Sequence, residues 1–345
     1  MALARYIDDT CHAGLRAVRL ENEHLLVTIL PDLAGKIVDI TDRRTGRNWL
    51  WRNPDLAHGV AAGGASFGAA LDSGGWDEIL LSVAPCVLQL SDGTACQLPD
   101  HGDLVGRPWA LGAGGLDEDG NAFCELTASG RALPYWWRRR VALAPDRAWL
   151  RFDYHLENTG DAHCPFYWCP HPLITGEPGM RVLLAQGQEF RVDSSHGLPA
   201  AAAGASLRWP SLPVGVGRSI DLSRFGEPAS SRAGFALKIF VRSTDPAEAV
   251  VESADGCEQF ILRYDGSTVP WLGLWINNRG WTGSGGRPHL NLGVEPSTAS
   301  CDSLVESLAR DRLPMLRPGE RRQWSLELQL RSMRTRANTV REVRA

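Results

Sequence analysis

Lysine is nearly absent from this chain, and so is any strong net charge. Only Lys36 and Lys238 are lysines among the 36 basic residues, and 40 acidic residues bring the formal net charge to -4. So small a charge produces no field that would attract nucleic acid or an anionic membrane. We therefore expect a small-molecule partner, with no nucleic acid and no membrane. The preference for arginine over lysine is attributed mainly to genome composition.

Long apolar runs are also missing. The opening residues, MALARYIDDTCHAGL, contain no apolar stretch of signal-peptide length. No segment approaches the roughly 20 apolar residues that a membrane helix needs. These observations predict a cytoplasmic protein.

Paired cysteine motifs are absent as well. The eight cysteines are scattered singly, without a C-x-x-C pair. Cys164, Cys169 and His171 lie close in sequence, but their spacing is poor for a closed zinc site. We expect free thiols and neither a metal nor another cofactor.

Helical patterns are few, whereas strand patterns fill most of the length. Stretches such as HLLVTILP and GERRQWSLELQL alternate apolar with polar residues, and short turns separate them. The pattern predicts an all-β fold, a large antiparallel β-sandwich (supersandwich) with few short helices, as one domain over residues 1–345. One short helix is predicted after Pro296, with Ser297 and Asp302 as candidate caps.

A single carboxylate stands at the end of one predicted strand. In the stretch HLNLGVEPSTA, Leu290, Leu292 and Val294 alternate with smaller or polar residues, and Glu295 follows directly before Pro296. A glutamate at such a place is most often a surface residue. The alternative is a general base held by a rigid sheet, and this alternative requires partners elsewhere in the chain.

Aromatic and polar residues cluster in four stretches, which are DSGGWDEILL, LPDHGDLVGRPW, CPFYWCPHPLITG and PWLGLWINNRGW. An aromatic face beside amides and carboxylates suits a sugar, because a pyranose has a C–H surface and a rim of hydroxyl groups. Any one tryptophan is more often a core residue, so it is the clustering that favours a sugar site. The candidate residues are Trp76, Asp77, Glu78, His101, Arg107, His171, Trp275 and Asn277.

His171 has an unusual local frame. Pro170 and Pro172 flank it, fix the backbone and remove two N–H groups, so we expect this segment to lie outside a central ladder. A stiff frame suits a positioned acid or base. An isolated histidine is nonetheless more often an ordinary core or surface residue.

Several of these motifs, in this order, resemble the aldose 1-epimerase family of the galactose mutarotase-like superfamily. The opening meander, the HG of LPDHGDLVGRPW, the CPHPLI stretch and GVEPSTA match that family's elements over nearly the whole chain. The resemblance implies an open sugar cleft on a β-sandwich. It also implies that Glu295 is the base, that His171 is the acid, and that His101 forms a hydrogen bond near the ring oxygen of a free monosaccharide.

The chain departs from the family's pattern at two places. The arginine that usually contacts substrate is not matched where this chain reads FGAALDSGGWDEI, and no family-like aspartate can be placed between His171 and Glu295. Asp193 resembles a structural strand-end position. The GGWDE stretch is therefore expected to take over hydroxyl recognition through Trp76, Asp77 and Glu78.

Other interpretations stay open at this point. An acidic or otherwise modified hexose could bind through Arg107 or the run Arg138 to Arg140. An inactive carbohydrate-binding protein would keep the fold without turnover. A glycan lyase or hydrolase would need a second carboxylate beside Glu295, and Asp77 or Glu78 would supply it. The pattern is compatible with a monomer or a homodimer.

Overall fold

Strands make up 53% of the computed structural model and helices 5%. The structure describes residues 3–59, 66–90, 92–226, 234–283, 285–310 and 313–333. The strands within these ranges are β1 (Arg5–His12), β2 (Leu15–Glu21), β3 (Leu25–Leu30), β4 (Lys36–Asp42), β5 (Arg47–Asn48), β6 (Trp76–Leu80), β7 (Cys86–Gln89), β8 (Ala95–Leu98), β9 (Ala110–Leu116), β10 (Ala122–Ser129), β11 (Tyr135–Leu143), β12 (Trp149–Asn158), β13 (Cys164–Pro165), β14 (Trp168–Thr175), β15 (Arg181–Leu183), β16 (Glu189–His196), β17 (Ser206–Arg208), β18 (Ser211–Gly215), β19 (Arg218–Asp221), β20 (Phe235–Arg242), β21 (Ala247–Glu252), β22 (Glu258–Tyr264), β23 (Trp271–Asn278), β24 (Leu290–Ser297), β25 (Met315–Leu316) and β26 (Arg321–Ser332).

Two large antiparallel sheets contain most of these strands. The larger sheet has 14 strands in the order β1-β2-β3-β4-β6-β14-β24-β23-β20-β16-β17-β18-β19, with β5 paired to β4. The second sheet has eight strands in the order β15-β21-β22-β26-β12-β11-β10-β9. The predicted all-β, antiparallel fold class is confirmed.

The two sheets pack face to face through large aromatic side chains. Trp76 of β6 stacks on Phe152 of β12, with ring centroids 4.7 Å apart. Tyr154 of β12 meets Trp168 of β14 at 4.8 Å. All four side chains are buried, and rings of this size contribute a large share of the apolar area that leaves water on folding.

Helical elements are short. A 3-10 turn spans Pro31–Leu33, a π-helical turn spans Phe67–Leu71, and the α-helix α1 spans Leu304–Arg310. The helix after Pro296 is therefore present. Its N-terminal cap differs from the prediction of Ser297 or Asp302, because Ser303 Oγ accepts the hydrogen bond from the N–H of Glu306 at 3.4 Å. Within the described ranges no helix is long and apolar enough to cross a membrane.

The prediction that His171 lies outside a central ladder is wrong. Strand β14 lies inside the large sheet, between β6 and β24. It pairs with β6 from Trp168 to Pro172, but its ladder with β24 runs only from Leu173 to Thr175. At the two prolines β14 pairs with β6 but not with β24. The N–H groups that proline lacks are therefore not needed for hydrogen bonds to β24.

Candidate active site

Glu295 lies at the centre of the large sheet, next to His171. Continuing the pairing of Leu173 with Gly293 brings His171 opposite Glu295, and His171 Nε2 is 3.6 Å from Glu295 Oε1. On the other side Gly273 of β23 faces Glu295 in register. Glu295 is completely buried, so it is not the surface carboxylate that its residue type alone would suggest.

One oxygen of Glu295 is firmly held. Oε2 forms an ion pair with the Lys238 ammonium and accepts a hydrogen bond from Cys169 Sγ at 3.5 Å. Lys238 lies on β20, one strand beyond β23, and reaches Glu295 across Gly273. A Cβ added to Gly273 would lie 3.3 Å from Lys238 Cε. A glycine at this position therefore leaves room for the lysine side chain to extend to Glu295.

The other oxygen of Glu295 is free. Among the described residues no hydrogen-bond donor satisfies Oε1, although the atom is buried. It points over Gly293, where an added Cβ would overlap it, and Asn291 is the next residue on the same face of β24. A buried carboxylate oxygen without a donor is costly, and such atoms occur where a ligand or a reaction uses them.

Lys238 also holds a second carboxylate. Its ammonium is 3.2 Å from Asp302 Oδ1, so one cation lies between Glu295 and Asp302. Burial, together with the charge of Glu295, raises the pKa of Asp302, although Lys238 opposes the shift. Burial and the charge of Asp302 likewise raise the pKa of nearby Asp193 to about 7.

His171 contacts a second histidine. The ring of His101 meets it edge to face at 5.2 Å and stacks on Phe67 at 3.6 Å. Burial, assisted by the positive charges of His101, Lys238 and Lys36, lowers the pKa of His171 well below its ordinary value of 6.5. His171 is therefore a neutral imidazole at neutral pH. Its Nδ1 atom is buried and has no hydrogen-bond partner among the residues described.

The HG motif forms a tight turn that places His101. His101 has φ +62° and Gly102 has φ +70°, and a Cβ on Gly102 would collide with the carbonyl oxygen of Leu80. His101 Nδ1 lies 2.8 Å from Asp100 Oδ1. Burial alone would raise the pKa of Asp100, but this hydrogen bond and the charge of His101 lower it.

A cavity of about 190 Å³ lies beside these residues. His101, His171, Lys238 and Asp302 form part of its wall, while Glu295 lies directly beneath that wall. The small volume suits a small molecule and not a polymer chain. Three larger cavities, of about 740, 670 and 320 Å³, lie elsewhere among the described residues, and none of the predicted site residues lines them.

Aromatic side chains form the far side of this cavity. Trp275 and Trp281 lie edge to face at 6.5 Å, and His196 packs on Trp281 at 4.5 Å. Asn277 is fully buried, accepts hydrogen bonds from the N–H groups of Gly280 and Trp281 at 3.1 Å, and donates to the carbonyl oxygen of Trp281. Asn277 therefore fixes the turn that presents Trp281, while Trp275 offers its own ring to the cavity.

Four predicted sugar-binding residues do not reach the cavity, and for the three on β6 the reason is the position of that strand. This strand is central, so alternation directs Trp76 and Glu78 into the interior between the sheets. Asp77 faces the same side as His171, but the Lys36 ammonium occupies its Oδ2 at 2.6 Å. Arg107 donates to the carbonyl oxygen of Ser129 at 2.5 Å.

The arginine run is also engaged away from the cavity. Arg138 pairs with Glu125 at 3.4 Å and Arg140 with Asp117 at 2.6 Å. Arg139 is buried beside Glu78 in the interior between the sheets. None of the three lines the cavity, so they give no support to binding of an acidic substituent there.

Sequence reasoning missed several residues of the cavity wall, which are Asp72, His196, Lys238, His289, Asn291 and Asp302. One signal was available. The only two lysines of the chain are both buried, each in an ion pair with a carboxylate of the large sheet. An ammonium group is more compact than a guanidinium group and fits a narrower space. In a chain that otherwise uses arginine, a buried lysine therefore indicates a position where arginine would not fit.

The cavity wall contains histidines and carboxylates, which are common metal ligands. Among the residues described, however, no group of three or more His, Cys, Asp or Glu side chains is arranged to hold a metal ion. The described cysteines are free thiols.

Solved structures with the same architecture are numerous. A galactose mutarotase-like protein from Clostridium acetobutylicum superposes with a TM-score of 0.68 at 14% identity, covering 96% of this chain and 99% of that one. The chain has the galactose mutarotase-like fold. A second galactose mutarotase-like protein, from Lactobacillus casei, superposes with a TM-score of 0.60 at 13% identity, covering 91% of this chain and 99% of that one.

The galactose mutarotase-like fold also occurs in a different setting. A TPR-domain containing protein from Parabacteroides distasonis superposes with a TM-score of 0.64 at 15% identity, covering 92% of this chain and 47% of that one. No protein-family model matches the chain, and no curated protein sequence matches it either. Likeness at such low identity shows the fold, and the activity must be argued from the site.

Proposed function

We propose that the protein is an aldose 1-epimerase, a mutarotase that interconverts the α and β anomers of a free monosaccharide without a cofactor. The observation that carries the proposal is the Glu295–His171 pair beside the 190 Å³ cavity, with Glu295 Oε1 lacking a donor among the described residues. Trp275 and Trp281 supply the aromatic surface that a pyranose ring requires. The galactose mutarotase-like fold is consistent with this chemistry.

Ring opening moves one proton off the sugar and another onto it. Glu295 Oε1, reached over Gly293, takes the proton of the anomeric hydroxyl. His171 gives a proton to the ring oxygen, the bond between the anomeric carbon and that oxygen breaks, and an open-chain aldehyde forms. Rotation about the neighbouring carbon–carbon bond and reclosure yield the other anomer. His101 donates a hydrogen bond near the ring oxygen and stabilises the developing charge.

The neutral state of His171 fits this cycle if the imidazole acts as a relay. In the tautomer with the proton on Nδ1, this atom donates to the ring oxygen while Nε2 faces Glu295 Oε1 at 3.6 Å. The proton that Glu295 takes from the sugar then passes to Nε2. The imidazole stays neutral overall, so the low pKa of His171 does not oppose the reaction.

A hydrolytic or lyase reaction finds less support. It would need Asp77 or Glu78 beside Glu295, but Lys36 occupies Asp77 and the interior between the sheets encloses Glu78. A binding protein without turnover would contain the same cavity, and only a measurement of turnover separates it from a mutarotase.

Polarimetry on freshly dissolved sugars tests the proposal. The purified protein should accelerate the optical rotation change of at least one of galactose, glucose, fucose or an amino sugar well beyond the buffer rate. Intrinsic tryptophan fluorescence, to which Trp275 and Trp281 of the cavity wall contribute, would report binding in the same samples. Saturable binding without acceleration for any sugar would establish the binding-protein alternative and refute the mutarotase proposal.

We further propose a cytoplasmic location and a monosaccharide as the molecule that the site binds. The singly scattered cysteines suit a reducing compartment. A monomer or a homodimer is compatible with a cavity lined by one chain.

A further inference from the structure

One end of the cavity contains several buried polar side-chain atoms without hydrogen-bond partners among the described residues. We call it the Asp72 end, and it is formed by Asp72, His289 and Asn291. Asn291 and His289 are 2% and 5% exposed. Asn291 Oδ1, His289 Nε2 and Asp72 Oδ1 are all buried without a hydrogen-bond partner among the described residues. Burial without partners is costly for each of these atoms, so the arrangement indicates a ligand group.

The backbone around these residues holds them in place without using their side-chain atoms. Asp72 ends the π-helical turn, where its N–H donates to the carbonyl oxygen of Phe67 at 2.8 Å and its own carbonyl oxygen accepts from Asn53 Nδ2 at 2.8 Å. His289 packs on Trp51 at 4.8 Å, and Asn291 pairs with Asn277 across β23 and β24. Main-chain hydrogen bonds, ring packing and strand pairing thus position the three residues.

The charge of the cavity wall is the second independent observation. Asp72, Asp100 and Asp302 all line the cavity, whereas Lys238 is the only lysine or arginine among its described lining residues. Lys238 is already engaged by Glu295 and Asp302. Burial lowers the pKa values of His171 and His289, so neither adds a positive charge at neutral pH. Asp100 is held by His101 and Asp302 by Lys238, whereas Asp72 Oδ1 has no hydrogen-bond partner among the described residues. Burial raises the pKa of Asp72, and a cationic ligand beside this carboxyl group would favour its charged form.

We propose that the Asp72 end binds the ammonium group of an amino sugar, so that the substrate is an aldose with a free amine. This inference rests on the proposed mutarotase function and names its substrate class. An ammonium group has three donors and no acceptor, which complements a carboxylate oxygen and an amide oxygen better than a hydroxyl group does. Charge-assisted hydrogen bonds to Asp72 make the site bind an amino sugar more tightly than the corresponding neutral sugar.

The alternative of an acidic sugar is disfavoured by the same residues. A uronic acid that placed its carboxylate at the Asp72 end would meet Asp72, while Lys238 is already engaged by Glu295 and Asp302. Like charges in a partly desolvated site repel strongly, so such a sugar should bind more weakly than the neutral parent. The expected order of affinity is amino sugar, neutral sugar, uronic acid.

Calorimetric titration of the full-length wild-type protein tests this order directly. Glucosamine, glucose, N-acetylglucosamine and glucuronic acid are compared at a pH where the amine is protonated, and galactosamine and galactose form a second series. Glucosamine or galactosamine should bind about tenfold more tightly than its neutral parent, as expected for a charge-assisted contact. Equal or weaker binding of both amino sugars would overturn the proposal, whatever the variants show.

Two matched variants locate the preference. Asp72→Asn keeps shape and removes charge, so it should lower the affinity for the amino sugar and abolish its tenfold preference over the neutral parent. Asp55→Asn removes a nearby carboxylate that pairs with Arg287 and does not line the cavity, so it should leave the preference intact. An amine preference that survives Asp72→Asn would contradict the assignment to the Asp72 end.

Failure of this inference can be told apart from failure of the proposed function, because one is measured by binding and the other by anomer interconversion. Anomer interconversion without amine preference overturns the inference alone. Amine preference that depends on Asp72, without interconversion of any sugar, overturns the mutarotase function and retains the Asp72 end as a binding site.

Discussion

Glu78 and Glu295 are both fully buried glutamates, each paired with a buried cation, yet their surroundings differ in one decisive respect. Glu78 lies between the sheets, where Oε1 accepts from Tyr154 at 3.0 Å and Arg139 at 3.3 Å, and Oε2 accepts from Trp168 Nε1 at 3.0 Å. Glu295 has one oxygen held by Lys238 and Cys169, whereas the other has no donor among the described residues.

The difference shows why burial of a carboxylate does not by itself indicate catalysis. A buried charge whose oxygens all have donors is a structural element that orders its neighbours. A buried charge with one free oxygen beside a cavity has an unmet interaction that a substrate can complete. By this criterion Glu295 belongs to the site and Glu78 belongs to the core. The predictions below test that distinction, in order of decreasing effect.

Glu295→Gln should cause the largest loss of activity. The amide keeps the shape of the side chain but cannot accept the anomeric proton, so mutarotation should fall roughly 10²- to 10⁴-fold. Polarimetry measures the rate, and calorimetric titration should show that sugar binding survives. An unchanged rate in a folded Glu295→Gln protein would remove Glu295 from the mechanism.

Glu78→Gln should affect stability instead of turnover. Removing the charge leaves the buried guanidinium of Arg139 without its carboxylate, which should cost about 3–5 kcal/mol of unfolding free energy. Urea unfolding measures this loss. The mutarotation rate per folded molecule should stay within a few-fold of wild type. A rate loss as large as that of Glu295→Gln, with the fold intact, would erase the distinction between the two glutamates.

Gly293→Ala should give an intermediate effect on activity. The added methyl group overlaps Glu295 Oε1, so the carboxylate must shift away from the approach of the sugar. We expect roughly a tenfold fall in mutarotation, since a small misplacement of a reacting group lowers the rate strongly. Gly215→Ala is a suitable control for folding, because Gly215 is a strand glycine without a positive φ and an added Cβ there meets nothing within 4 Å. Full activity of Gly293→Ala would contradict the proposed path to Oε1.

Acid sensitivity should give the smallest effect. Burial holds the folded-state pKa of His171 well below 6.5. Below about pH 6.5 this histidine is therefore protonated in the unfolded chain but not in the folded one. This contribution to stability is full above pH 6.5 and is lost as the pH falls towards the folded-state pKa. His171→Asn should therefore lose less stability than wild type between pH 6.5 and pH 5 in urea unfolding.

The buried carboxyl groups do not disturb this comparison, because both proteins contain them. Burial raises the pKa of Asp193 to about 7 and also raises the pKa of Asp302, so the effect of these two groups on stability has the opposite sign and cancels in the difference. Identical pH dependence in wild type and His171→Asn would mean that the imidazole is not held neutral in the folded protein.

Local patterns in the sequence were sufficient for the fold class and for part of the site. Period-two alternation predicted antiparallel strands, one of them with Glu295 at its end. The end was wrong, because β24 and its ladder with β23 continue through Pro296 to Ser297. The structure brings Glu295, His171 and His101 together, as the resemblance implied. The strand pattern follows from neighbouring residues, whereas the meeting of these three side chains was implied by the resemblance alone.

Features that depend on which strands are neighbours were missed. Lys238 reaches Glu295 from 57 residues away and across an intervening strand, a contact that requires the register of three strands and a glycine at Gly273. Asp302 was expected to cap a helix, but Ser303 does so, while Asp302 turns towards Lys238. Trp76 and Glu78 were misplaced because the sequence does not show that β6 is covered on both faces.

The central claim is that the Glu295–His171 pair catalyses anomer interconversion, and exchange NMR on an equilibrated sugar tests it most directly. The wild-type protein is added to an equilibrium mixture of the best-binding aldose, and magnetisation transfer between the α and β anomeric signals is recorded. The account predicts transfer with wild type and none above background with Glu295→Gln. Absence of transfer with wild type, while binding is saturated, would contradict it.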